Sequence, residues 1–410
     1  MKPETLVAET LREWSEEVRI PHDLADRALR GRVRRRLRRT AVAAVLVAAV
    51  AGIGLAVPPV ALTRAMHSPA AAPDPSSTSQ VGVAPSEAPF FPTLTDTHNS
   101  PPRTLVAAGE KAVSAYHIDS QEKLPDGRVR DRSTWYLYNP VTDRYDKTDW
   151  AKLDVSSGLE YAAVLEYPLP AHRVGILDMR TREIVKWIDL EHPVGAVSWS
   201  PTKGLLTTTY DRDPGIHGDR TKSPVRPMPP SRTGFQMVNI DTGQSEFHAV
   251  TPSPQVVRAP DADLGPFGWT PYGELIWEDT NTNPSKVFYD MQGRRHDPPD
   301  GWTHALQDTE DAGIAVYGKK YAAKGDRPGA ETAVKDIKTG KTVGVQKMRR
   351  LLAWADDETL IALGCAASCE DGSRGQLVMV GIDGKNPVQM SADLKIPGSS
   401  DTWQPLLTRR

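Results

Sequence analysis

Cysteine is nearly absent from this chain, which has only Cys365 and Cys369 among its 410 residues. A cysteine-based metal site needs further ligands nearby, and no histidine lies closer in the sequence than His304. The two cysteines are four residues apart and fall in the part of the chain that we place outside the membrane, where disulfides persist. We therefore expect a Cys365–Cys369 disulfide that closes a small ring.

Familiar catalytic motifs are also missing. The sequence has no Gly-x-Ser-x-Gly elbow and no His-Glu-x-x-His pair. Residues 339–342 (Thr-Gly-Lys-Thr) resemble the end of a phosphate-binding loop, but Lys335 stands where that motif needs its first glycine. We therefore assign no catalytic residue, cofactor or metal ligand, and we expect that the protein is not an enzyme.

The chain lacks a large excess of charge of either sign, because its formal net charge is −2. Residues 1–40 carry eleven basic and seven acidic side chains, so their net charge is +4 and that of the remainder is −6. The larger part has no long basic stripe, which argues against a nucleic-acid partner. The basic N-terminal part instead suits the anionic headgroups of a lipid bilayer.

One long apolar run stands out from this background. Residues 41–62 (AVAAVLVAAVAGIGLAVPPVAL) carry no charge, and as a helix they would be roughly 33 Å long, enough to cross a hydrocarbon core of about 30 Å. We predict one transmembrane helix at 40–63, in the plasma membrane. The arginines before it predict a cytoplasmic N-terminus and an exported C-terminal domain. The residues that determine this topology are Arg34, Arg35, Arg36, Arg38 and Arg39.

A cleaved export signal is the alternative interpretation of the same region. Arg38 and Arg39 before an apolar run resemble a twin-arginine signal, and the three alanines at 70–72 offer small residues to a peptidase. The apolar run is long for a signal peptide, which favours the uncleaved anchor. A secreted domain released by cleavage stays open as the alternative.

The cytoplasmic segment, residues 1–39, is predicted to be helical. It carries one apolar stripe at helical spacing, formed by Val7, Leu11, Trp14 and Val18. About forty residues bury little core by themselves. The stripe therefore packs on a neighbouring helix, on the membrane or on a cytoplasmic regulatory partner that binds residues 1–38.

The segment after the span, residues 64–103, is rich in proline, serine and alanine. Such a composition buries too little apolar surface to offset the entropy lost on ordering. We predict a disordered tether between the membrane and the exported domain.

The remaining residues, 104–410, show many short β-like runs separated by turn residues, and two signatures recur among them. The first is a tryptophan followed by a turn and by apolar residues at the sixth and seventh positions. It begins at Trp199, Trp269 and Trp354, with a weaker copy at 306–314. We expect these three tryptophans to lie in the cores of the repeats.

The second signature is a β-run that ends in a polar hairpin turn. Its anchor positions are 142, 181, 242, 293, 339 and 384, with spacings of 39, 61, 51, 46 and 45. Six turns at this spacing predict a mainly β domain, a six-bladed β-propeller built from four-stranded units. Seven blades are the alternative, because the first unit and the C-terminal strand at 403–407 are hard to place.

The pieces Trp-Ser-Pro-x-x-Gly-Leu-Leu (199–206) and Asn-Ile-Asp-Thr-Gly (239–243) resemble those of TolB-like and WD40-like propeller repeats. The whole layout is similar to actinobacterial single-pass membrane proteins with an exported WD40-like domain. The resemblance implies a propeller fold and a class of role, without implying a reaction.

The usual strand order of a propeller places the connections between second and third strands on one face. These connections are the long ones here, at 118–132, 211–233, 318–330 and 364–375. Because elaborated loops on a rigid scaffold often carry binding, we predict a binding or sensing protein that meets an extracytoplasmic protein, peptide or wall component there. The alternative is an enzyme with its site at the mouth of the central channel.

Overall fold

A computed structural model of the chain describes residues 92–410 except 203, 220–229, 251–264, 280–285, 300–314, 318–319, 325–331, 349, 367–374 and 400. The chain divides into two compact units, residues 1–84 and 85–410, and only the second contains described residues. The predicted cytoplasmic helices, the predicted span at 40–63 and most of the predicted linker lie outside them. In the described ranges every regular element is a strand. These residues contain no helix that could span a membrane. The prediction of a mainly β domain is confirmed.

The described residues form 25 strands. In chain order they are β1 (Ala107–Ala108), β2 (Lys111–Lys123), β3 (Val129–Asn139), β4 (Arg144–Lys147), β5 (Lys152–Val155), β6 (Tyr161–Leu165), β7 (Ala171–Asp178), β8 (Ile184–Trp199), β9 (Leu205–Tyr210), β10 (Ile216–His217), β11 (Arg232–Val238), β12 (Ser245–Ala249), β13 (Gly268–Trp269), β14 (Ile276–Asp279), β15 (Lys286–Tyr289), β16 (Arg295–His296), β17 (Ala315–Tyr317), β18 (Lys320–Lys324), β19 (Thr332–Asp336), β20 (Thr342–Gln346), β21 (Arg350–Trp354), β22 (Thr359–Gly364), β23 (Gln376–Gly381), β24 (Val388–Asp393) and β25 (Trp403–Arg409).

Antiparallel pairing groups these strands in fours, which we call modules. Strands β13–β16, β17–β20 and β21–β24 are separate four-stranded sheets, modules 4, 5 and 6. A seven-stranded sheet holds modules 2 and 3, because the long β8 pairs with β7 up to Val194 and with β9 from Val194 to Trp199. Module 2 is therefore β5, β6, β7 and the first part of β8. Module 3 is the rest of β8 with β9, β11 and β12.

Module 1 joins the two ends of the described chain. Its strands are β25, β2, β3 and β4, and β25 pairs with β2 from Lys111↔Arg409 to Ile118↔Trp403. The last strand thus completes a sheet whose other three strands come from the beginning of the domain. Such pairing adds a long-range ladder that holds the first and last long strands of the β domain in one sheet.

The burial of each strand follows its position in the module. The second strand of module 3, β9, is buried at every position, whereas the fourth strand, β12, has no fully buried residue. A strand that is buried on both faces has a continuous run of apolar or small residues in its sequence. The inner strands of a module therefore lie between neighbouring sheets, and the fourth strand faces outward.

Among the described residues, five hydrophobic clusters join consecutive modules. Leu137 of module 1 clusters with Val164 of module 2, and Leu165 of module 2 clusters with Leu205 of module 3. The rings of Phe235 in module 3 and Phe267 at the start of module 4 have centroids 5.5 Å apart. Full burial of one such side chain contributes about 1.5–3 kcal/mol. These clusters make the module boundaries the main apolar core.

The last two clusters lie at the other end of the chain. Val334 of module 5 clusters with Leu360 of module 6, and Leu377 of module 6 clusters with Tyr116 and Trp403 of module 1. Module 6 therefore packs on module 1. The boundary between modules 4 and 5 falls in residues 300–314, outside the described residues.

Residues 92–103, which the sequence assigns to the linker, contact the β domain. The amide of Asp96 donates to the Met390 carbonyl oxygen of β24, and its carboxylate accepts from the Arg103 amide at 2.7 Å and the Asn99 side chain at 2.8 Å. Burial by itself would raise the pKa of Asp96, but these amide donors hold it below its ordinary value. Contact with the domain therefore begins before the predicted boundary at residue 104.

Candidate binding face

The two ends of the strands differ in what connects them. Since neighbouring strands are antiparallel, the first-to-second and third-to-fourth connections of every module lie at one end, which we call the turn end. The second-to-third connections lie at the opposite end, which we call the clasp end. Three of the four long connections predicted as the contact surface, at 118–132, 211–233 and 364–375, belong to the clasp end. The prediction for 318–330 is wrong in part, because β18 occupies Lys320–Lys324 and the second-to-third connection of module 5 begins only after it.

The turn end is built from repeated local chemistry. All six predicted hairpin turns connect the third and fourth strands of a module, so this part of the repeat prediction is confirmed. Each turn begins with an aspartate or asparagine whose side-chain oxygen accepts turn amides, and these residues are Asn139, Asp178, Asn239, Asp290, Asp336 and Asp383. At Asp178 the amides of Thr181 and Arg180 hold the pKa of the carboxyl below its ordinary value.

The three tryptophans predicted as core residues end the first strands of modules 3, 4 and 6. Trp199 donates its indole N–H to the Asp154 carbonyl oxygen at 3.1 Å, and Trp269 donates to the Ser198 carbonyl oxygen at 3.2 Å. In both cases the acceptor lies in the first strand of the preceding module. Trp354 is 4% exposed and belongs to the cluster between modules 5 and 6. The three tryptophan side chains therefore contact the module that precedes their own.

The remaining predicted residues are only partly described. Cys365 is disulfide-bonded, while Cys369 lies outside the described residues, so the Cys365–Cys369 pairing stays a prediction. The five arginines predicted to set the membrane topology, which lie between Arg34 and Arg39, are also outside the described residues.

The first of the predicted contact loops, 118–132, is mostly strand. The β2–β3 ladder continues from Ile118↔Thr134 to Lys123↔Val129, with the chain reversing at residues 124–128. Cross-strand charge explains the extension, because Glu122 accepts from Arg132 Nε at 2.8 Å and from Arg130 at 3.3 Å. Opposite charges facing each other across a ladder stabilise it modestly. Module 1 thus projects a long two-stranded ribbon at the clasp end.

A backbone clasp joins this ribbon to module 3. Strand β10, in the connection between β9 and β11, pairs with β3 through Ile216↔Arg130 and His217↔Val129. The Asp131 amide also donates to the Gly215 carbonyl oxygen at 2.9 Å. Modules 1 and 3 are therefore hydrogen-bonded at the clasp end although module 2 lies between them in the sequence.

Ion pairs and a ring contact reinforce the clasp. Arg130 Nε lies 3.1 Å from Asp213 Oδ2, which links the ribbon to the connection of module 3. The Arg132 guanidinium lies over the Tyr167 ring of module 2, 4.8 Å from its centroid. Burial lowers the pKa of Lys152 in β5, while Asp119, Asp131 and Asp213 act against that shift. All three of the first modules therefore contribute to this surface.

His217 is the buried centre of the clasp, with a side chain that is 5% exposed. Its Nδ1 lies 2.8 Å from the Gly218 carbonyl oxygen, and its Nε2 lies 3.2 Å from Asp131 Oδ1. Both neighbours are oxygens, and Gln121 donates to the same Asp131 oxygen at 3.0 Å. The ring therefore packs between the backbone of its own connection and an acidic side chain of β3.

A cavity of about 340 Å³ lies where first strands of four modules meet. From module 1 to module 4 they contribute Leu406, Leu153, Asp154, Val197, Ser198 and Gly268. Arg232 and Asp279 also line it, and both stand where a strand meets a second-to-third connection. A cavity of this volume is in the range of small-molecule sites.

Asp154 is the most perturbed acid in the cavity wall. Its Oδ2 accepts from the Trp199 amide at 2.6 Å and its Oδ1 from the Val155 amide at 2.9 Å. Burial raises the pKa of Asp154 to about 6, although the Trp199 and Val155 amides and the Lys111 charge oppose the rise. A carboxyl with a strongly shifted pKa in a cavity is a candidate functional group.

A buried ion pair supports the wall beside it. Arg232 and Glu278 form a salt bridge with side chains 3% and 0% exposed, and the Tyr289 hydroxyl donates to the same carboxylate. Burial and the Glu278 charge raise the pKa of Tyr289. Arg232 also donates to the Gly265 carbonyl oxygen at 2.7 Å and lies 4.2 Å from the Phe267 ring centroid. These hydrogen bonds hold the Arg232 guanidinium in one position, and the Glu278 carboxylate balances its charge.

In the part of the chain that the structure describes, no three histidine, cysteine, aspartate or glutamate side chains come together as a metal site. The sequence does not single out Asp154, Arg232 or His217, although the predicted contact loop at 211–233 contains the last two. Their partners Trp199, Glu278 and Asp131 come from other modules. No signal within the local sequence separates such residues from solvent-facing ones.

No family model matches this sequence, and no curated protein sequence matches it. Among solved structures, the chain is similar to hydrazine synthase from Kuenenia stuttgartiensis, with a TM-score of 0.32 and 10% identity, over 57% of this chain and 63% of that chain. It is also similar to Hsv2 from Kluyvelomyces marxianus, with a TM-score of 0.30 and 12% identity, over 63% of this chain and 70% of that chain. Similarity at this level assigns neither a fold nor a function.

Proposed function

We propose that the six modules are the blades of a closed six-bladed β-propeller. Two observations support it: module 6 packs on module 1, and β25 completes the sheet of module 1. The meeting of four first strands at one cavity also fits a ring whose first strands line the axis. The cavity then lies at one mouth of the central channel.

We further propose that this propeller is the exported domain of a single-pass plasma-membrane protein that binds or senses an extracytoplasmic protein, peptide or wall component. The apolar run at 41–62 and the arginines before it support the anchor. The clasp end is the proposed contact surface. The observation that supports this assignment is the β3–β10 clasp, which makes one highly charged surface from three modules.

Cross-linking in intact cells with the tagged full-length chain tests this function. The proposal expects links from residues 118–132 or 211–219 to an exported protein or wall fragment, together with an intact N-terminus in the membrane fraction. Links from residues 1–38 to a cytoplasmic regulator, in addition, would assign the N-terminal helices a signalling role.

Two outcomes contradict the proposal. Partner links confined to the turn end, for example at the turns around 181 and 339, would place the contact surface on the wrong end of the strands. Recovery of the domain only as a soluble, N-terminally cleaved form would replace the membrane anchor by the secreted alternative.

A further inference from the structure

We propose that the cavity between the first strands of modules 1 to 4 binds a small organic amine, whose ammonium group pairs with the Asp154 carboxylate and whose apolar body fills the space between these strands. The inference goes beyond the contact surface proposed above and does not depend on the membrane anchor. It rests on the charges, hydrogen bonds and apolar surface of the cavity wall.

The charges of the wall leave one carboxylate uncompensated. Arg232 is paired with Glu278, and Asp279 is paired with Lys286 at 2.6 Å. Among the described lining residues, Asp154 is the remaining ionisable group and forms no salt bridge. Lys111 acts on Asp154 only as the weakest of the four influences on it. The described wall therefore carries a net negative charge, which favours a cation over an anion.

Asp154 also keeps hydrogen-bonding capacity. An ionised carboxylate has about four acceptor positions, and the Trp199 and Val155 amides use one on each oxygen. The remaining positions are available to a donor in the cavity. An ammonium group supplies three donors and the opposite charge, which makes the stronger, charge-assisted kind of hydrogen bond.

The rest of the wall suits an apolar body. Leu153 and Leu406 face the cavity from modules 2 and 1, and Phe267 and Trp277 line it from module 4. Each ring already has a cation against it, because Arg232 lies 4.2 Å from the Phe267 centroid and Lys286 Nζ lies 3.3 Å from the Trp277 centroid. The rings therefore contribute apolar surface to the ligand, and Asp154 alone recognises its charge.

Titration calorimetry on the full-length protein in detergent micelles tests this site with three probes that share one body. Phenethylamine carries the ammonium, 2-phenylethanol a neutral hydroxyl and 3-phenylpropionate an anion. At pH 7.5 we expect saturable binding of the amine at least about tenfold tighter than of the alcohol, and no binding of the anion. At pH 5 amine binding should weaken about tenfold, because Asp154 is then mostly protonated.

Two substitutions assign the effect to Asp154. Asp154→Asn removes the charge and keeps an acceptor oxygen for one of the two backbone amides, and it should weaken amine binding at least about tenfold. Asp336→Asn is the matched control, because it also removes one carboxylate charge but lies in a hairpin turn that does not line the cavity. Its affinity should stay within about threefold of the wild type.

The proposal is overturned if the amine and the alcohol bind equally, or if Asp154→Asn binds the amine as well as the wild type. It is also overturned if propylamine, phenethylamine and tryptamine all fail to bind at about 10 mM, a concentration at which even weak small-molecule sites fill. Should Asp154→Asn not fold, Asp154→Glu replaces it. That variant should keep a preference for amine over alcohol, and its loss would count against the site.

Discussion

The turn end and the clasp end of the same strands are held by opposite kinds of contact. At the turn end a residue such as Asp336 binds amides two or three positions further along the chain. At the clasp end His217 contacts Asp131, and Arg232 contacts Glu278, across 86 and 46 positions of sequence. The repeated end specifies where each hairpin reverses. The clasp end places unlike residues from different modules on one surface, which is what recognition requires.

The largest expected effect at the clasp end comes from breaking its buried ion pair. Arg232→Met leaves the Glu278 carboxylate buried without its cation, and we expect the free energy of unfolding to fall by about 3–5 kcal/mol. Urea denaturation measures the change. Arg128→Met, which removes an exposed partner of Asp126, should cost no more than about 1 kcal/mol.

The double variant Arg232→Met/Glu278→Leu completes this test. It removes both charges, so most of the lost stability should return. A single variant as stable as the Arg128 control, or a double variant no better than Arg232→Met, would contradict the role given to the pair.

The second effect is a pH dependence that originates at Asp154. The unfolded carboxyl has the ordinary pKa of 3.8 and the folded one a pKa of about 6. Between these values the folded state holds a proton that the unfolded state releases, so stability falls as pH rises from about 4 to 6 and then levels off. The full difference is at most about 3 kcal/mol.

Asp154→Asn should remove this contribution. Denaturation at pH 5 and pH 8 would show a smaller loss of stability in the variant than in the wild type over that interval. Equal losses in the two proteins would contradict this, because they would mean that folding leaves the pKa of Asp154 near its ordinary value of 3.8.

The turn end should respond more weakly and in a local way. Asp336→Ala removes the acceptor of the Thr339 amide at 2.9 Å and hydroxyl at 2.8 Å, and should cost about 1 kcal/mol. Asp336→Asn keeps an acceptor oxygen for the amide and should recover most of that loss in the same denaturation assay. If the asparagine variant is as unstable as the alanine variant, the turn depends on the charge rather than on the hydrogen bonds.

The smallest effect on global stability is expected from opening the clasp itself. A Cβ at Gly215 would lie 2.9 Å from the Asp131 carbonyl oxygen, so Gly215→Val should push β10 away from β3. We expect amide exchange at Asp131 to accelerate at least about tenfold while the unfolding free energy changes by less than about 1 kcal/mol. Gly375→Ala, whose Cβ meets open space, should change neither. Unaltered exchange at Asp131 in Gly215→Val would show that the clasp is not a separate opening unit.

The parts of the fold that the sequence predicts are those decided by nearby residues. The six hairpin turns follow from an aspartate or asparagine at a fixed place in each repeat, since the side chain and the amides it binds are neighbours in the chain. The tryptophan signature likewise marks the end of a first strand at Trp199, Trp269 and Trp354. These patterns establish the repeat before any tertiary contact is known.

The candidate site could not be predicted in the same way. Asp154 lies in the short strand Lys-Leu-Asp-Val, whose alternation is typical of an exposed charge. In the structure it is half-buried, and its carboxylate accepts from the Trp199 amide of the next module. The clasp arises because a loop of module 3 adds to an edge of module 1. Asp96 could not be predicted for the same reason. Its proline-rich sequence predicts a disordered tether, but its amide donates to the Met390 carbonyl oxygen of β24, which is distant in the sequence.

The most direct test of the central claim compares the two ends within one molecule. A photo-cross-linking amino acid is placed either at Lys123, on the exposed ribbon of the clasp end, or at Arg180, on an exposed turn of the turn end. The full-length protein is then irradiated in intact cells, and its cross-linked products are identified by mass spectrometry. We expect specific partner products from position 123 and none from position 180. Products from position 180 alone would contradict the assignment of the contact surface to the clasp end.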